Sequence, residues 1–413
     1  MKGSWGVQKK RRRYIEVWLF FMLLFSVNFF DLLPVTALIG PNGAFTFTML
    51  TLFFCFTFNR TAWIRDHSDW LHPFWWFYAG IVLSVFPAFV YYGQSLVQSF
   101  FTYRRFFQFL AFPIFIAIRP TEREFRSALQ TFSVVYLLTC LFVTFLAPNW
   151  IELGDNEQLV ERGDYFHNIE GIRIVSLAFI FSFHRMMKEF NYQNFLWTLF
   201  IFSVLFLIQN RTSLLAVMLM VVYSVLSMKA SVRKIMLVTV IGLVVLLMFV
   251  YTSGQWGHLY QQTIEEIFNP DYNRNKAYLY MFASREWPRY LLGDGFISAN
   301  VSGIIRTLQE SGIFFSDVGF VGMWYQFGVI PVLTVLVMCI KAFAKPKSFL
   351  VKACSIYILI GIPTMSYFAI GESLLWLSVF LYVFYSDQLP SFFQSVRRKV
   401  VGLNEVRYRS LSR

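Results

Sequence analysis

The stretch that decides the fold spans residues 195–228 and reads FLWTLFIFSVLFLIQNRTSLLAVMLMVVYSVLSM. A single charge, that of Arg211, interrupts its apolar residues. The run is too long for one membrane-crossing helix, which needs about 20 residues, and is long enough for two. It therefore predicts two transmembrane helices, 195–209 and 212–228, joined by a tight turn that leaves Arg211 at a membrane surface.

Similar apolar runs recur between Ile15 and Ser386, each bounded by charges, Pro or Gly. The chain of 413 residues is 57% hydrophobic and 14% charged, whereas a soluble domain carries about 25% charged residues. These features predict an all-α, polytopic helical membrane protein that forms a single integral membrane domain, 1–413. About twelve spans are expected, at 15–33, 43–58, 74–92, 101–118, 128–147, 170–183, 195–209, 212–228, 235–251, 317–338, 353–370 and 373–386.

Composition also limits the classes of partner. The four cysteines all lie in apolar segments and their spacings match no zinc pattern, so we expect no disulfide, metal or other cofactor. In a membrane protein the net charge of +13 reflects basic cytoplasmic loops, and no nucleic-acid partner is expected. The N-terminal KKRRR and the apolar run after it lack a convincing small-residue cleavage site, which indicates a retained anchor.

The basic residues predict how the spans are oriented. With the N-terminus inside, the cytoplasmic segments hold about 26 of the 36 Lys and Arg, as the positive-inside rule requires. The loop 148–167 then lies outside and is acidic. Twelve spans place both termini in the cytoplasm and leave one large outer loop, 252–316, between spans nine and ten.

Four arginines near the outer ends of spans run against this bias: Arg104, Arg105, Arg173 and Arg211. One interpretation is that they are interfacial arginines whose charges reach the lipid headgroups. The other is that the bundle gathers them around one anionic ligand, a phosphate or a diphosphate, which the planar guanidinium binds through two hydrogen bonds. Their occurrence on different spans favours the second interpretation.

The outer loop contains a predicted helix within FNPDYNRNKAYLYMFASREWPRYLLGDGF, residues 268–296. Asn-Pro at 269–270 is typical of a helix start, and Trp-Pro at 287–288 is expected to end the helix. At about 100° per residue, one face carries Arg274, Tyr278, Met281 and Arg285. This face could contact a sugar or a phosphate. The alternative, favoured for Arg285 and Arg289, is a surface helix with its charges in water.

The tenth span opens with FFSDVGFVGMWYQFGVIPVL, residues 314–333. Asp317 lies at its outer mouth, where a carboxylate could accept a proton from a substrate hydroxyl or orient a sugar. The alternative is that Ser316 or Asp317 only caps the start of the helix. Gly319 and Gly322 allow another helix to approach closely.

The arginine hairpin before SLLAV, the late outer loop and the run YQFGVIP together resemble the O-antigen polymerase and O-antigen ligase superfamily of bacterial envelope glycan enzymes. The residues that match its short motifs are Arg211, Arg274, Pro288, Gly293, Gly295 and Gly328. Ligases of this superfamily typically open the helix after the loop with His-Asn, whereas this chain has Ser316-Asp317. The resemblance therefore favours a polymerase of O-antigen or exopolysaccharide repeat units, with the ligase as the alternative.

The resemblance implies a metal-independent, GT-C-like glycosyltransferase of the bacterial plasma (inner) membrane, with its site facing the periplasm or the outside. Its donor would be an undecaprenyl-diphosphate-linked oligosaccharide held among membrane lipid, and its partners a chain-length regulator and a flippase of the same pathway. Arg211 and Arg274 would bind the diphosphate, whose charge grows in the transition state. Asp317 would act as base or orient the acceptor. The other candidate substrate contacts are Arg173, Arg104, Arg105, Tyr278 and Arg285.

A transporter is the main alternative to an enzyme, because twelve spans with both ends inside is also the plan of many secondary carriers. Here the two halves do not mirror one another, and the acidic residues Asp31 and Glu372 lie near outer turns. A flippase of lipid-linked sugars would also bind a diphosphate and stays open. A non-catalytic scaffold within an envelope assembly is a third hypothesis.

Overall fold

Helices make up almost all of the described chain. The structure, a computed structural model, describes residues 2–27, 42–57, 71–146, 160–162, 166–168, 171–207, 211–226, 242, 269, 272–283, 286–298, 307–308, 311, 313, 315–344, 348–362 and 371–388. The α-helices of these residues are α1 (Lys2–Ser26), α2 (Asn42–Thr57), α3 (His72–Leu83), α4 (Val85–Tyr92), α5 (Leu96–Tyr103), α6 (Ala111–Ile118), α7 (Glu122–Leu146), α8 (Ile172–Lys188), α9 (Tyr192–Leu207), α10 (Arg211–Leu226), α11 (Asn273–Phe282), α12 (Trp287–Leu292), α13 (Gly319–Phe327), α14 (Val329–Ala344), α15 (Phe349–Gly361) and α16 (Gly371–Gln388).

Short 3₁₀ helices and one strand pair complete the described elements. The 3₁₀ helices are Arg104–Leu110 and Phe315–Val318. Strands β1 (Val160–Arg162) and β2 (Phe166–Asn168) pair antiparallel. This pair lies in the predicted outer loop 148–167, for which the all-α prediction included no strand.

Several helices are long and apolar enough to cross a membrane. Among the described residues, His72–Tyr92 and Glu122–Phe142 meet this condition by length and composition. A third span is present if Leu96–Tyr103 and Phe106–Ile118, which meet at a bend of 57°, form one crossing. Shorter apolar helices of 10–17 residues fall at other predicted spans, whereas the predicted ninth span, 235–251, lies outside the described residues apart from Gly242.

Hydropathy predicted many of the helix boundaries closely. The long run 195–228 divides into α9 and α10, as its length indicates, and α10 begins at Arg211. The predicted span 43–58 corresponds to α2, Asn42–Thr57. The sequence predicts these boundaries because a helix end depends on neighbouring residues, namely an apolar run that a charge or a turn residue ends.

Two helix predictions are wrong. The span 317–338 is interrupted, because Gly328 adopts φ +76 and separates α13 from α14. The loop helix begins at Asn273 rather than Asn269, and it ends at Phe282. Pro288 begins α12 instead of ending the earlier helix, since proline is well tolerated in a first helical turn.

Helices α8 and α16 form the centre of the bundle. Residues 372–383 of α16 and 174–184 of α8 are all buried. Around α8 lie α7, α9, α10, α15 and α16, and α16 also contacts α1, α6 and the first 3₁₀ helix. Because both helices also carry buried polar residues such as Ser176 and Ser378, an enclosed position spares these groups contact with lipid.

The outside of the bundle is strongly apolar. Large apolar side chains such as Phe53, Trp76 and Val90 are 65%, 61% and 70% exposed. A soluble monomer rarely exposes so much contiguous apolar surface. The exposed side chains therefore agree with the membrane character that the apolar helices indicate.

Candidate functional site

Four helices begin around the end of a fifth helix. Helices α8, α10 and α16 contact α15 along the bundle, and α13 is joined to the C-terminal end of α15 by a hydrogen bond. The first turns of these four helices carry most of the polar residues considered below. This end of the bundle is the candidate site.

Arg173, in the first turn of α8, is held by two neighbouring residues of α16. Its Nη1 lies 3.4 Å from Oε1 of Glu372 and donates a short hydrogen bond to Oγ of Ser373. The side chains of Arg173 and Glu372 are 14% and 4% exposed. The carboxylate therefore balances the charge of an arginine that the sequence assigned to substrate, and it also sets the direction of the guanidinium.

Tyr357, fully buried on α15, connects α10 with α16. Its hydroxyl lies 3.1 Å from Oγ of Ser213, the third residue of α10. Its ring stacks on Trp376 of α16, with the centroids 5.1 Å apart. One tyrosine thus links two of the helices that begin at the site.

The segment that carries Asp317 lies at the same end of the bundle. The backbone N–H of Phe320 donates to the carbonyl of Ile362, just past the end of α15, at 3.0 Å. Ile362 follows Tyr357 by five residues, which is about 7.5 Å along a helix axis. Asp317 belongs to the 3₁₀ helix directly before α13, and its side chain lies outside the described part of the structure.

Arg104 and Arg105 open the first 3₁₀ helix, which runs parallel to α16. Two hydrogen bonds join this stretch to α16, from Ser378 to the carbonyl of Phe109 and from Tyr382 to the carbonyl of Pro120. Arg104 precedes the first of these contacts by five residues on its own segment, and Glu372 precedes it by six on α16. Arg104, at the bend of 57° between Tyr103 and Phe106, therefore lies on the side of this contact that faces the first turn of α16.

The helix of Arg274 packs against the segment of Asp317. Its buried contacts are made by Ala277 and Met281 with Val318 and Tyr325. Arg274 and Tyr278 lie one turn apart beside this packed face, and both are half-buried. Burial raises the pKa of Tyr278 above its ordinary value, and the charge of Arg274 acts in the opposite direction. The structure thus brings Arg274 and Tyr278 next to the start of the tenth predicted span.

Arg289 is not a solvated surface charge, and that prediction is wrong. It donates two hydrogen bonds to the carboxylate of Asp294, which is fully buried, and Tyr92 of α4 donates to the same carboxylate at 2.8 Å. The Asp294 hydrogen bond raises the pKa of the Arg289 guanidinium. Arg289 also lies over the ring of Tyr91, 4.8 Å from its centroid.

The segment Gly293-Asp294-Gly295 lies between helices, and both glycines have positive φ, +77 and +86. The N–H groups of Asp294 and Gly295 donate to the carbonyls of Tyr325 and Gln326, both at 2.8 Å. The buried Gln94 binds the backbone of Phe296 and Ser298. This part of the predicted outer loop is therefore fixed to the bundle, and its glycines allow close packing.

The structure describes the predicted site residues unevenly. Arg173 contacts the first turn of α16, and the first turn of α10 is joined through Ser213 to Tyr357, which stacks on Trp376 one turn farther along α16. Arg274 lies beside the segment of Asp317. Arg285 and the side chains of Arg105, Arg211 and Asp317 lie outside the described residues. Sequence reasoning missed the partners Glu372, Ser373, Tyr357 and Ser213. Glu372 could have been found from the sequence, because it is a single carboxylate at the start of an apolar span. A charge in that position is expected to pair with an opposite charge.

The electrostatics of this end favour an anion. Each helix start carries roughly half a positive charge, and its first N–H groups point outward. Glu372 balances Arg173, and the four helix starts outweigh the C-terminal end of α15 beside them, which carries roughly half a negative charge. Such an arrangement can bind a phosphate or diphosphate. Within the described ranges no group of three His, Cys, Asp or Glu residues could hold a metal ion.

Comparison with protein-family models finds none that matches this chain, and comparison with curated proteins finds no match either.

Proposed function

We propose that the chain is a bacterial polysaccharide polymerase. It transfers a glycan from an undecaprenyl-diphosphate donor to an acceptor sugar hydroxyl at the outer face of the plasma membrane. The observation that carries the proposal is the convergence of the helix starts of Arg173, Arg211 and Asp317, with Arg274 alongside. The sequence resemblance supports the same chemistry, and it matches this chain at Arg211 and Arg274.

Contacts between helix ends support the predicted orientation. The hydrogen bond from Tyr382 to Pro120 joins two ends that the positive-inside prediction places in the cytoplasm. The hydrogen bond from Tyr92 to Asp294 joins two segments that it places outside. If the predicted number of spans between two bonded residues were wrong by one, those residues would lie on opposite sides of the membrane and could not meet. The two contacts therefore favour the predicted order of inner and outer loops.

The reaction needs little from the protein beyond charge and position. The acceptor hydroxyl oxygen attacks the anomeric carbon of the donor, and the bond from that carbon to the diphosphate oxygen breaks. The hydroxyl proton passes to a base, for which we propose Asp317, and the electron pair leaves with the diphosphate. Arginines and helix starts aimed at the diphosphate stabilise its growing charge most strongly in the transition state.

The test is a gel profile of surface and lipid-linked glycans from the native host. Loss of the gene, or Arg211→Ala or Arg274→Ala at normal protein abundance, is expected to collapse the ladder to a single repeat. Lysine variants should recover only part of the output, since Lys cannot bind a phosphate through a planar fork. Arg123→Ala is the control, because Arg123 is exposed at the predicted inner end.

Other outcomes would identify the alternatives. Long polymer that stays on the polyprenyl carrier, while its final acceptor remains bare, would make the protein a ligase. An unchanged ladder in both alanine variants would contradict the diphosphate site. A ligase result would also show that Ser316-Asp317 does not distinguish the two activities, because that pair is the basis for preferring the polymerase.

A further inference from the structure

We propose that Tyr357 is a positioning residue for the diphosphate. Its hydroxyl lies 3.1 Å from Oγ of Ser213, in the first turn of α10, and its ring stacks on Trp376 of α16. It thereby fixes the first turn of α10, which begins at Arg211, against the helix whose Glu372 and Ser373 hold Arg173. The proposal rests on the proposed function and deepens it, because it explains how the helix starts of Arg173 and Arg211 keep a set spacing for the two phosphoryl groups.

The hydroxyl of Tyr357 is itself held in one place. Its ring is fully buried and stacks on Trp376 at an interplanar angle of 20°. A phenol can donate or accept a hydrogen bond, so it can bind the Ser213 hydroxyl in either direction. Hydrogen bonds in such a dry interior are electrostatically stronger than in water. A small movement of Ser213 would therefore break a bond that water cannot easily replace.

The two arginines are fixed by separate means. Arg173 is held by Glu372 and Ser373 of α16, and these contacts do not involve the Tyr357 hydroxyl. The link through Ser213 acts on α10 alone. Removal of the hydroxyl should therefore loosen Arg211 relative to Arg173 and leave Arg173 where it is. A displacement of about 1 Å at a reacting group can cost roughly 100-fold in rate.

The experiment compares Tyr357→Phe with Tyr382→Phe in the purified full-length protein. Tyr382 is a matched control, since it is a buried tyrosine whose hydroxyl binds the Pro120 carbonyl at 3.0 Å, farther along α16 from the site. Binding of undecaprenyl diphosphate in detergent is measured by fluorescence or by the shift in melting temperature. Tyr357→Phe should raise Kd about tenfold, as expected for one lost buried hydrogen bond, whereas Tyr382→Phe should not.

A second variant keeps the test valid if Tyr357→Phe folds poorly. Ser213→Ala removes the other half of the same hydrogen bond, and it should raise Kd by a similar factor. The double variant should add little to either single change, because residues that share one interaction are not additive. Glycan ladders from the host should shorten in parallel with the loss of binding.

The outcomes separate this inference from the proposed function. Normal binding in Tyr357→Phe and Ser213→Ala, with weak binding in Arg211→Ala, would overturn the positioning role and leave the diphosphate site standing. Equal weakening in Tyr382→Phe would also overturn it, because the effect would then be general packing. Normal binding in Arg211→Ala would overturn the diphosphate site, and the role of Tyr357 with it.

Discussion

Gly293 and Gly328 lie so close together that neither position has room for a side chain. A Cβ on Gly293 would lie 2.5 Å from the backbone nitrogen of Gly328, and a Cβ on Gly328 would overlap the carbonyl oxygen of Leu291. Both glycines have positive φ, +77 and +76. This crossing fixes the predicted outer loop to the break between α13 and α14.

Alanine at either of these glycines is expected to prevent normal folding. The added methyl group meets backbone atoms, which cannot move away as a flexible side chain would, and the positive φ adds strain. Protein abundance in the membrane and melting temperature measure the effect. Gly93→Ala is the control: its φ is +67, but nothing lies within 4 Å of the added Cβ, so about 1–2 kcal/mol of strain is expected. Equal losses in all three variants would contradict the steric explanation.

Removal of the Arg289 side chain should destabilise the protein strongly. Arg289→Ala leaves the fully buried carboxylate of Asp294 without its ion-pair partner, which typically costs about 3–5 kcal/mol. Thermal unfolding in detergent measures the change. Arg12→Ala breaks the more exposed pair with Glu16 and should cost less than about 1 kcal/mol. A small effect of Arg289→Ala would show that the pair does not anchor the loop.

The pair of Arg173 and Glu372 allows stability to be separated from activity. Glu372→Ala alone should destabilise by about 3 kcal/mol or more, because it leaves a largely buried guanidinium without its carboxylate. Leucine at both positions should restore most of the melting temperature, since apolar replacement of a buried pair is often neutral. The double variant should still make no glycan polymer. Normal polymer from it would show that Arg173 does not bind substrate.

Labelling of introduced cysteines should test the predicted orientation, with little labelling of the native cysteines. The native cysteines Cys55, Cys140, Cys339 and Cys354 are all buried. A membrane-impermeant maleimide should label Gly154→Cys, in the predicted outer loop, in intact cells. It should label Ala230→Cys, in a predicted inner loop, only after the membrane is opened. The reverse pattern would invert the topology and would place the candidate site in the cytoplasm.

Sequence reasoning reached part of the candidate site and missed its internal partners. Arg173 and Arg211 stood out because they lie against the positive-inside bias, and their helix starts lie together in the structure. Tyr357 and Ser213 gave no signal, since the chain has 21 Tyr and its apolar spans contain many hydroxyl residues. Arg289 was assigned to a surface helix with its charges in water, whereas the structure pairs it with the fully buried carboxylate of Asp294.

The sequence by itself determined the helical class, the apolar character and many of the helix ends, because hydropathy and helix-ending residues act over a few neighbouring positions. Only the tertiary structure decided which polar groups meet. Arg173 and Ser373 are 200 residues apart, and Tyr92 and Asp294 are 202 apart. Such pairs depend on which helices pack together and at what level, and a buried charge accepts whichever opposite charge the packing brings to it. Local sequence patterns do not determine which helices pack together, so they do not predict these pairs.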